Sequence, residues 1–64
     1  MTGDELFLYR SLAGLSQTEV ATAIGKTFYV VYAIEKRRRP IRPEEATAFR
    51  KLFGLPVEQE VANG

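Results

Sequence analysis

The sequence contains no cysteine, no histidine and no tryptophan. Without cysteine and histidine, the chain has no disulfide, no thiolate or imidazole zinc site, and no Cys–His or Ser–His catalytic pair. It also has no apolar run of about 18 residues and no signal-peptide pattern, so nothing in it indicates a membrane or export. We therefore expect a cytoplasmic protein that needs no metal and no cofactor.

The chain is long enough for one small domain, which we place over residues 1–64. Its apolar fraction of 45% and charged fraction of 27% are typical of a globular rather than a disordered chain. A domain of this size buries only about 60% of the surface that its unfolded chain exposes. We therefore expect a thin core.

The net charge of +1 hides an uneven distribution along the chain. Residues 26–42 carry a charge of +5, whereas residues 1–25 and residues 43–64 carry −2 each. A basic segment between two acidic ones is the electrostatic pattern expected for a protein with a polyanionic partner. A solvated basic loop that aids solubility is the alternative interpretation, because short lysine and arginine runs are common.

Glycine and proline residues divide the chain into short segments. In each segment apolar residues recur at spacings of three and four, which predicts helices rather than strands. The predicted fold class is therefore all-α, with five helices. The helices are predicted over about residues 4–13, 16–25, 27–38 and 43–53, with a short fifth over about 57–62.

The helix start signals are explicit in three of these segments. Ser16-Gln17-Thr18-Glu19 matches the S-x-x-E capping box, with Ser16 as the N-cap. Thr27 can cap the third helix, and Pro43 suits the first position of the fourth. The β-branched and aromatic residues 28–32 would also suit a strand, but the flanking caps favour a helix.

Residues 16–37 have the size of a helix-turn-helix, which is two short helices joined by a turn that contains glycine. Leu15-Ser16-Gln17 opens the second helix, Ile24-Gly25 closes it, Ile34-Glu35 lies in the third, and Leu52-Phe53-Gly54-Leu55 ends the fourth. With this order and spacing, residues 5–62 resemble the lambda-repressor/Cro-type (Xre-like) helix-turn-helix DNA-binding domains. The resemblance implies a compact five-helix fold that binds double-stranded DNA.

The resemblance also implies a role for individual residues. The third helix, about residues 27–37, would lie in the major groove with its first residues against the base edges. The residues that would read bases are Phe28, Tyr29, Tyr32 and Ala33. The residues that would contact phosphates are Gln17, Lys26, Thr27, Lys36, Arg37, Arg38, Arg39 and Arg42.

The base-reading positions depart from the family pattern, in which polar side chains are usual. Aromatic rings and an alanine methyl match thymine methyl groups and DNA shape better than they match donor and acceptor patterns. Two alternatives stay open. Phe28 or another ring can belong to the core or to a dimer contact, and the aromatic face of the third helix can bind a protein, as in an antitoxin-like interaction module.

Glu35 is the one acidic residue in the basic segment, and its position near DNA requires a reason. The resemblance supplies one, because an arginine of the first helix pairs with this glutamate behind the recognition helix. We therefore predict a largely buried Arg10–Glu35 ion pair. The alternative is that Arg10 is a free surface or phosphate-binding arginine.

The resemblance implies a sequence-specific transcriptional regulator that represses by occluding promoter DNA. A homodimer on an operator with two half-sites is expected, with its contact near Leu55, Val57 and the fifth helix and a contribution from Phe7 or Leu8. No small-molecule substrate and no enzymatic activity are expected. The carboxylate pairs 4–5 and 44–45 lie at helix starts, where the helix dipole accounts for them.

Overall fold

The computed structural model describes residues 1–57, and residues 58–64 lie outside the described part. Within residues 1–57 the chain forms four helices and no strand: α1 (Gly3–Ala13), α2 (Gln17–Ala23), α3 (Phe28–Glu35) and α4 (Pro43–Phe53). The all-α prediction is therefore confirmed for this range, and residues 28–32 are helical. The predicted fifth helix over about 57–62 falls, apart from its first residue, outside the described residues. None of the helices in residues 1–57 has the length and apolar character of a membrane-spanning segment.

The N-termini of α1 and α2 are closed by reciprocal capping boxes. The Ser16 hydroxyl accepts from the Glu19 amide at 3.0 Å, and the Glu19 carboxylate accepts from the Ser16 amide at 2.7 Å. This confirms the predicted cap of α2. Thr2 and Glu5 make the same pair of bonds at the start of α1, so α1 begins at Gly3, one residue before the predicted start.

The third helix, α3, is shorter than predicted. Thr27 is the N-cap of α3, but its side chain makes no capping hydrogen bond. The helix ends at Glu35 with Lys36 as its C-cap, so residues 36–38 leave the helix and turn toward α4. Pro43 begins α4 as predicted, and Gly54 ends it in the left-handed region at a φ of 72°.

The core is small and every helix contributes to it. Its fully buried apolar side chains come from one inward face of each helix, and they are Leu6, Val20, Ala21, Val31, Ile34 and Phe49. The α2 and α3 helices pack against each other, and α1 packs across both α3 and α4. Burying a leucine, valine, isoleucine or phenylalanine side chain contributes about 1.5–3 kcal/mol, so each of these larger residues accounts for a large fraction of the stability.

Gly3 lies where α1 meets the C-terminal end of α3. A Cβ atom added at this position would overlap the carbonyl oxygen of Ile34. Gly3→Ala is therefore expected to lower the free energy of unfolding by about 1–3 kcal/mol, because the two helices must move apart. The loss occurs although alanine is the better helix former by about 1 kcal/mol.

Urea denaturation followed by circular dichroism measures this effect. Ser11→Ala, an exposed change in the same helix, is the control and should leave the stability within about 0.5 kcal/mol. A Gly3→Ala protein as stable as the wild type would show that the close approach of α1 to Ile34 is wrong.

Candidate nucleic-acid interface

Arg10 and Glu35 form a two-pronged ion pair between α1 and the end of α3. The guanidinium Nε donates to Glu35 Oε2 at 2.7 Å, and a terminal nitrogen donates to Oε1 at 2.9 Å. Only 14% and 6% of the two side chains are exposed. The hydrogen bonds to Glu35 raise the pKa of Arg10, although its partial burial opposes this. The other terminal nitrogen donates to the Leu15 carbonyl, so the guanidinium is bound within the fold.

Gln17 joins the same ion pair. Its Nε2 donates to Glu35 Oε1 at 2.9 Å, which connects the first residue of α2 to the last residue of α3. The family resemblance puts Gln17 at a DNA phosphate. It does not predict this bond, because Gln17 and Glu35 lie on different helices. Gln17 therefore holds the two helices of the helix-turn-helix in register.

The first turns of α3 present a cluster of aromatic rings, Phe28, Tyr29 and Tyr32, which we call the aromatic stripe. The Phe28 ring stacks on Tyr32 with centroids 5.6 Å apart, and Tyr29 meets the Phe28 ring edge-on at 5.4 Å. Phe28 is 38% exposed and Tyr29 is 73% exposed, so neither belongs to the core. The buried face of α3 is formed by Val31 and Ile34. The rings therefore stay on the surface and support one another.

Two cations extend the aromatic stripe at the C-terminal end of α3. Lys36 Nζ lies 5.7 Å from the centre of the Tyr32 ring, and the guanidinium carbon of Arg38 lies 5.9 Å from it. Both distances are within the range in which a cation is attracted to the face of an aromatic ring. Lys36 and Arg38 are exposed. The aromatic stripe and these two cations together form one continuous surface, which we call the aromatic–basic face.

Arg37 is an exposed cation with a carboxylate partner. One of its terminal nitrogens donates to both oxygens of Asp4, at 2.9 and 2.8 Å, and this bonding raises the pKa of Arg37. The backbone at Arg37 has a φ of 62°, in the left-handed region that side chains rarely adopt. This conformation ends α3 abruptly and turns the chain into the loop before α4.

Arg39 binds a buried carboxylate on α4. Its two terminal nitrogens donate to Glu45 Oε1 at 3.0 Å and to Glu45 Oε2 at 2.6 Å. Glu45 is 2% exposed and accepts a third bond from the Arg42 amide at 3.0 Å. The hydrogen bonds from Arg39 lower the pKa of Glu45, although burial acts in the opposite direction. From its place in the sequence, Glu45 is predicted only as an acid that the helix dipole favours at a helix start, and this ion pair is not predicted.

The residues with expected DNA contacts therefore fall into two groups. Gln17 and Arg39 bond to buried carboxylates, and Arg37 bonds to the exposed carboxylate of Asp4. The other residues are exposed or half-buried. Those expected at phosphates are Lys26, Thr27, Lys36, Arg38 and Arg42, and those expected at bases are Phe28, Tyr29, Tyr32 and the half-buried Ala33.

Comparison with known proteins agrees with this geometry. A family model described as Helix-turn-helix matches residues 6–59, which include α2, α3, α4 and most of α1. No curated protein and no solved structure gives a significant match to the chain. The family match covers most of the sequence and includes the Arg10–Glu35 pair and the whole aromatic–basic face. The chain therefore belongs to the Cro/C1-type helix-turn-helix family of DNA-binding domains.

Proposed function

We propose that this protein is a sequence-specific repressor or autorepressor that binds operator DNA through α3 and occludes the promoter. The observation that carries the proposal is the aromatic–basic face, where the exposed Phe28 and Tyr29 rings and the half-buried Tyr32 ring on α3 lie beside two exposed cations that follow the helix. Rings can contact base edges in the major groove while the cations bind the phosphates beside it.

The aromatic stripe is the part of this face that would discriminate between sequences. Phe28, Tyr29 and Tyr32 lie in the first two turns of α3, and Ala33 follows them. A helix that enters the major groove brings its N-terminal residues against the bases. The rings and the Ala33 methyl would contact thymine methyl groups, and the tyrosine hydroxyls can bond to a base or a phosphate.

The exposed cations would supply affinity without sequence information. Lys36 and Arg38 continue the aromatic stripe, Lys26 and Thr27 precede α3, and Arg42 precedes α4. All of these except Thr27 carry a positive charge that can neutralise a phosphate and release a counterion. The Thr27 hydroxyl can donate to a phosphate oxygen.

The three residues that bond to carboxylates have different roles in this proposal. Arg39 would position the loop before α4, because its guanidinium is held by buried Glu45. Gln17 would position α2 against α3 through Glu35. Arg37 remains a phosphate-contacting residue, because its bond to Asp4 lies at the surface, where a phosphate can replace the carboxylate.

The proposal includes a homodimer, because one module alone would bury little surface against DNA. A single module of this kind buries only about 600–1,000 Å² against DNA, and two modules on half-sites about 34 Å apart would double that area. The apolar residues that are available for the dimer contact are Phe7 and Leu8 on α1, each about half exposed, together with Leu55 and Val57 after α4.

Arg38→Ala and Phe28→Ala are expected to affect DNA binding in different ways. Arg38→Ala should weaken operator and unrelated DNA by the same factor and should reduce the slope of log Kd against log salt by about one. Phe28→Ala should reduce the preference for the operator and leave the salt slope unchanged. Fluorescence anisotropy over about 50–200 mM salt, on a duplex selected from random DNA, measures both effects.

The antitoxin-like alternative gives a different salt response. An interface built on the aromatic stripe against a protein partner would change little over the same salt range, because it depends on apolar contact.

Lys51→Ala, an exposed cation on α4 outside the aromatic–basic face, is the matched control for the charge removed with Arg38. If no duplex is enriched from the random pool, the repressor function is excluded.

A further inference from the structure

The aromatic stripe offers almost none of the hydrogen-bonding groups that usually read bases. Within the stripe, Phe28 has no polar side-chain atom and the two tyrosines contribute only their hydroxyl groups. The neighbouring Ala33 has no polar side-chain atom either. Guanine and adenine are normally distinguished by two-pronged bonds from arginine, asparagine or glutamine. No such side chain lies between Phe28 and Glu35. The stripe therefore matches the one apolar feature of the major groove, which is the methyl group on C5 of a pyrimidine.

The packing of the rings strengthens this match. Phe28 lies between its two neighbours, in contact with Tyr32 at 5.6 Å and with Tyr29 at 5.4 Å, so its ring has little freedom to turn away. Lys36 Nζ and the Arg38 guanidinium also lie 5.7 and 5.9 Å from the centre of the Tyr32 ring. A surface that is already ordered loses little side-chain entropy when a methyl group is buried against it.

The C5-methyl group is present in thymine and also in 5-methylcytosine, whereas cytosine lacks it. We propose that the aromatic stripe recognises C5-methylated pyrimidines in duplex DNA, so that methylation of a cytosine in the operator strengthens binding. This inference rests on the proposed DNA-binding function and names the ligand chemistry of the same surface. Burial of one methyl group corresponds to a gain of about fourfold in affinity. Methylation of the operator would then set how tightly the repressor binds.

The test uses the duplex that the wild-type protein selects from random DNA. Its main comparisons change the DNA and use only the wild-type protein. Each thymine of a half-site is replaced singly by deoxyuridine, which removes the methyl group and keeps the Watson–Crick pair. We expect at least one position per half-site to bind about fourfold more weakly. At that position a C·G pair is then compared with and without a C5-methyl group on the cytosine. The methylated duplex should bind about fourfold more tightly than the unmethylated one.

Two variants connect the effect to the stripe. Phe28→Ala should bind the thymine and deoxyuridine duplexes equally, whereas Arg38→Ala should weaken both and keep their ratio. Circular dichroism of the free variants is the check that both are folded. The comparisons made with the wild-type protein do not depend on either variant. If every deoxyuridine duplex binds as well as the selected duplex, methyl recognition is overturned and specific DNA binding stands. If no duplex is selected, the proposed function itself fails.

Discussion

Arg10→Met is expected to lower the free energy of unfolding by about 3–5 kcal/mol, because it leaves the Glu35 carboxylate buried without its cation. Only 6% of the Glu35 side chain is exposed, and its remaining bond would come from the neutral amide of Gln17. A domain of this length has a total stability of about 3–10 kcal/mol. The substitution would therefore leave a large fraction of the protein unfolded at physiological temperature.

Thermal and urea unfolding followed by circular dichroism measure the loss. The matched control is the double variant Arg10→Met/Glu35→Leu, which removes both charges and leaves an apolar contact between α1 and α3. Replacing a whole buried pair is often neutral or favourable, so the double variant should recover most of the lost stability. An Arg10→Met protein with an unchanged melting temperature would contradict the buried pair.

Under the proposed function the ion pair would also orient the recognition helix, because Glu35 is bonded to both α1 and α2. Arg10 reaches it from α1 and Gln17 reaches it from α2, so the end of α3 is held by two elements. The aromatic stripe lies on that same short helix, and Lys36 and Arg38 follow its end. A loss of the pair should therefore reduce operator binding through the orientation of α3 as well as through the folded fraction.

Local signals in the sequence predict most of the helix boundaries. The S-x-x-E pattern at Ser16 and the Pro43 start both correspond to observed helix ends, because each feature acts through bonds within one turn. The end of α3 is less well predicted. No glycine or proline follows Glu35 before Pro40, so the sequence does not mark where the helix stops. The left-handed conformation of Arg37, which non-glycine residues rarely adopt, ends it at Glu35.

The candidate site, like the helix boundaries, is predicted only in part from the sequence. The aromatic composition of α3 and the charge of residues 26–42 can be read from the sequence, and both reach the surface in the structure. The sequence does not show which group each arginine contacts. A charge count treats Arg37, Arg38 and Arg39 alike, whereas the fold gives Arg37 an exposed carboxylate, Arg38 an aromatic ring and Arg39 a buried carboxylate. These pairings depend on tertiary distance, which spacing along the chain does not report.

Arg39→Met provides the clearest contrast within this arginine run. It removes the cation of a carboxylate whose side chain is 1% exposed, so a loss of about 3–5 kcal/mol in the free energy of unfolding is expected. Arg38→Met removes the same charge from the neighbouring residue. Since Arg38 is exposed, this matched control should change the stability by no more than about 0.5 kcal/mol.

The pH dependence of the Arg39→Met effect identifies its cause. In the wild type, Arg39 lowers the pKa of Glu45 in the folded state, so this carboxylate contributes stability above its unfolded pKa of about 4.3 and loses it as the pH falls. In Arg39→Met, burial acts with less opposition and raises the pKa of Glu45, so the folded variant takes up a proton in acid and regains stability. The difference in stability between the two proteins should therefore be largest above about pH 5 and should shrink below about pH 4. A constant difference over that range would mean that the lost stability comes from the packing of the Arg39 side chain rather than from a stranded carboxylate.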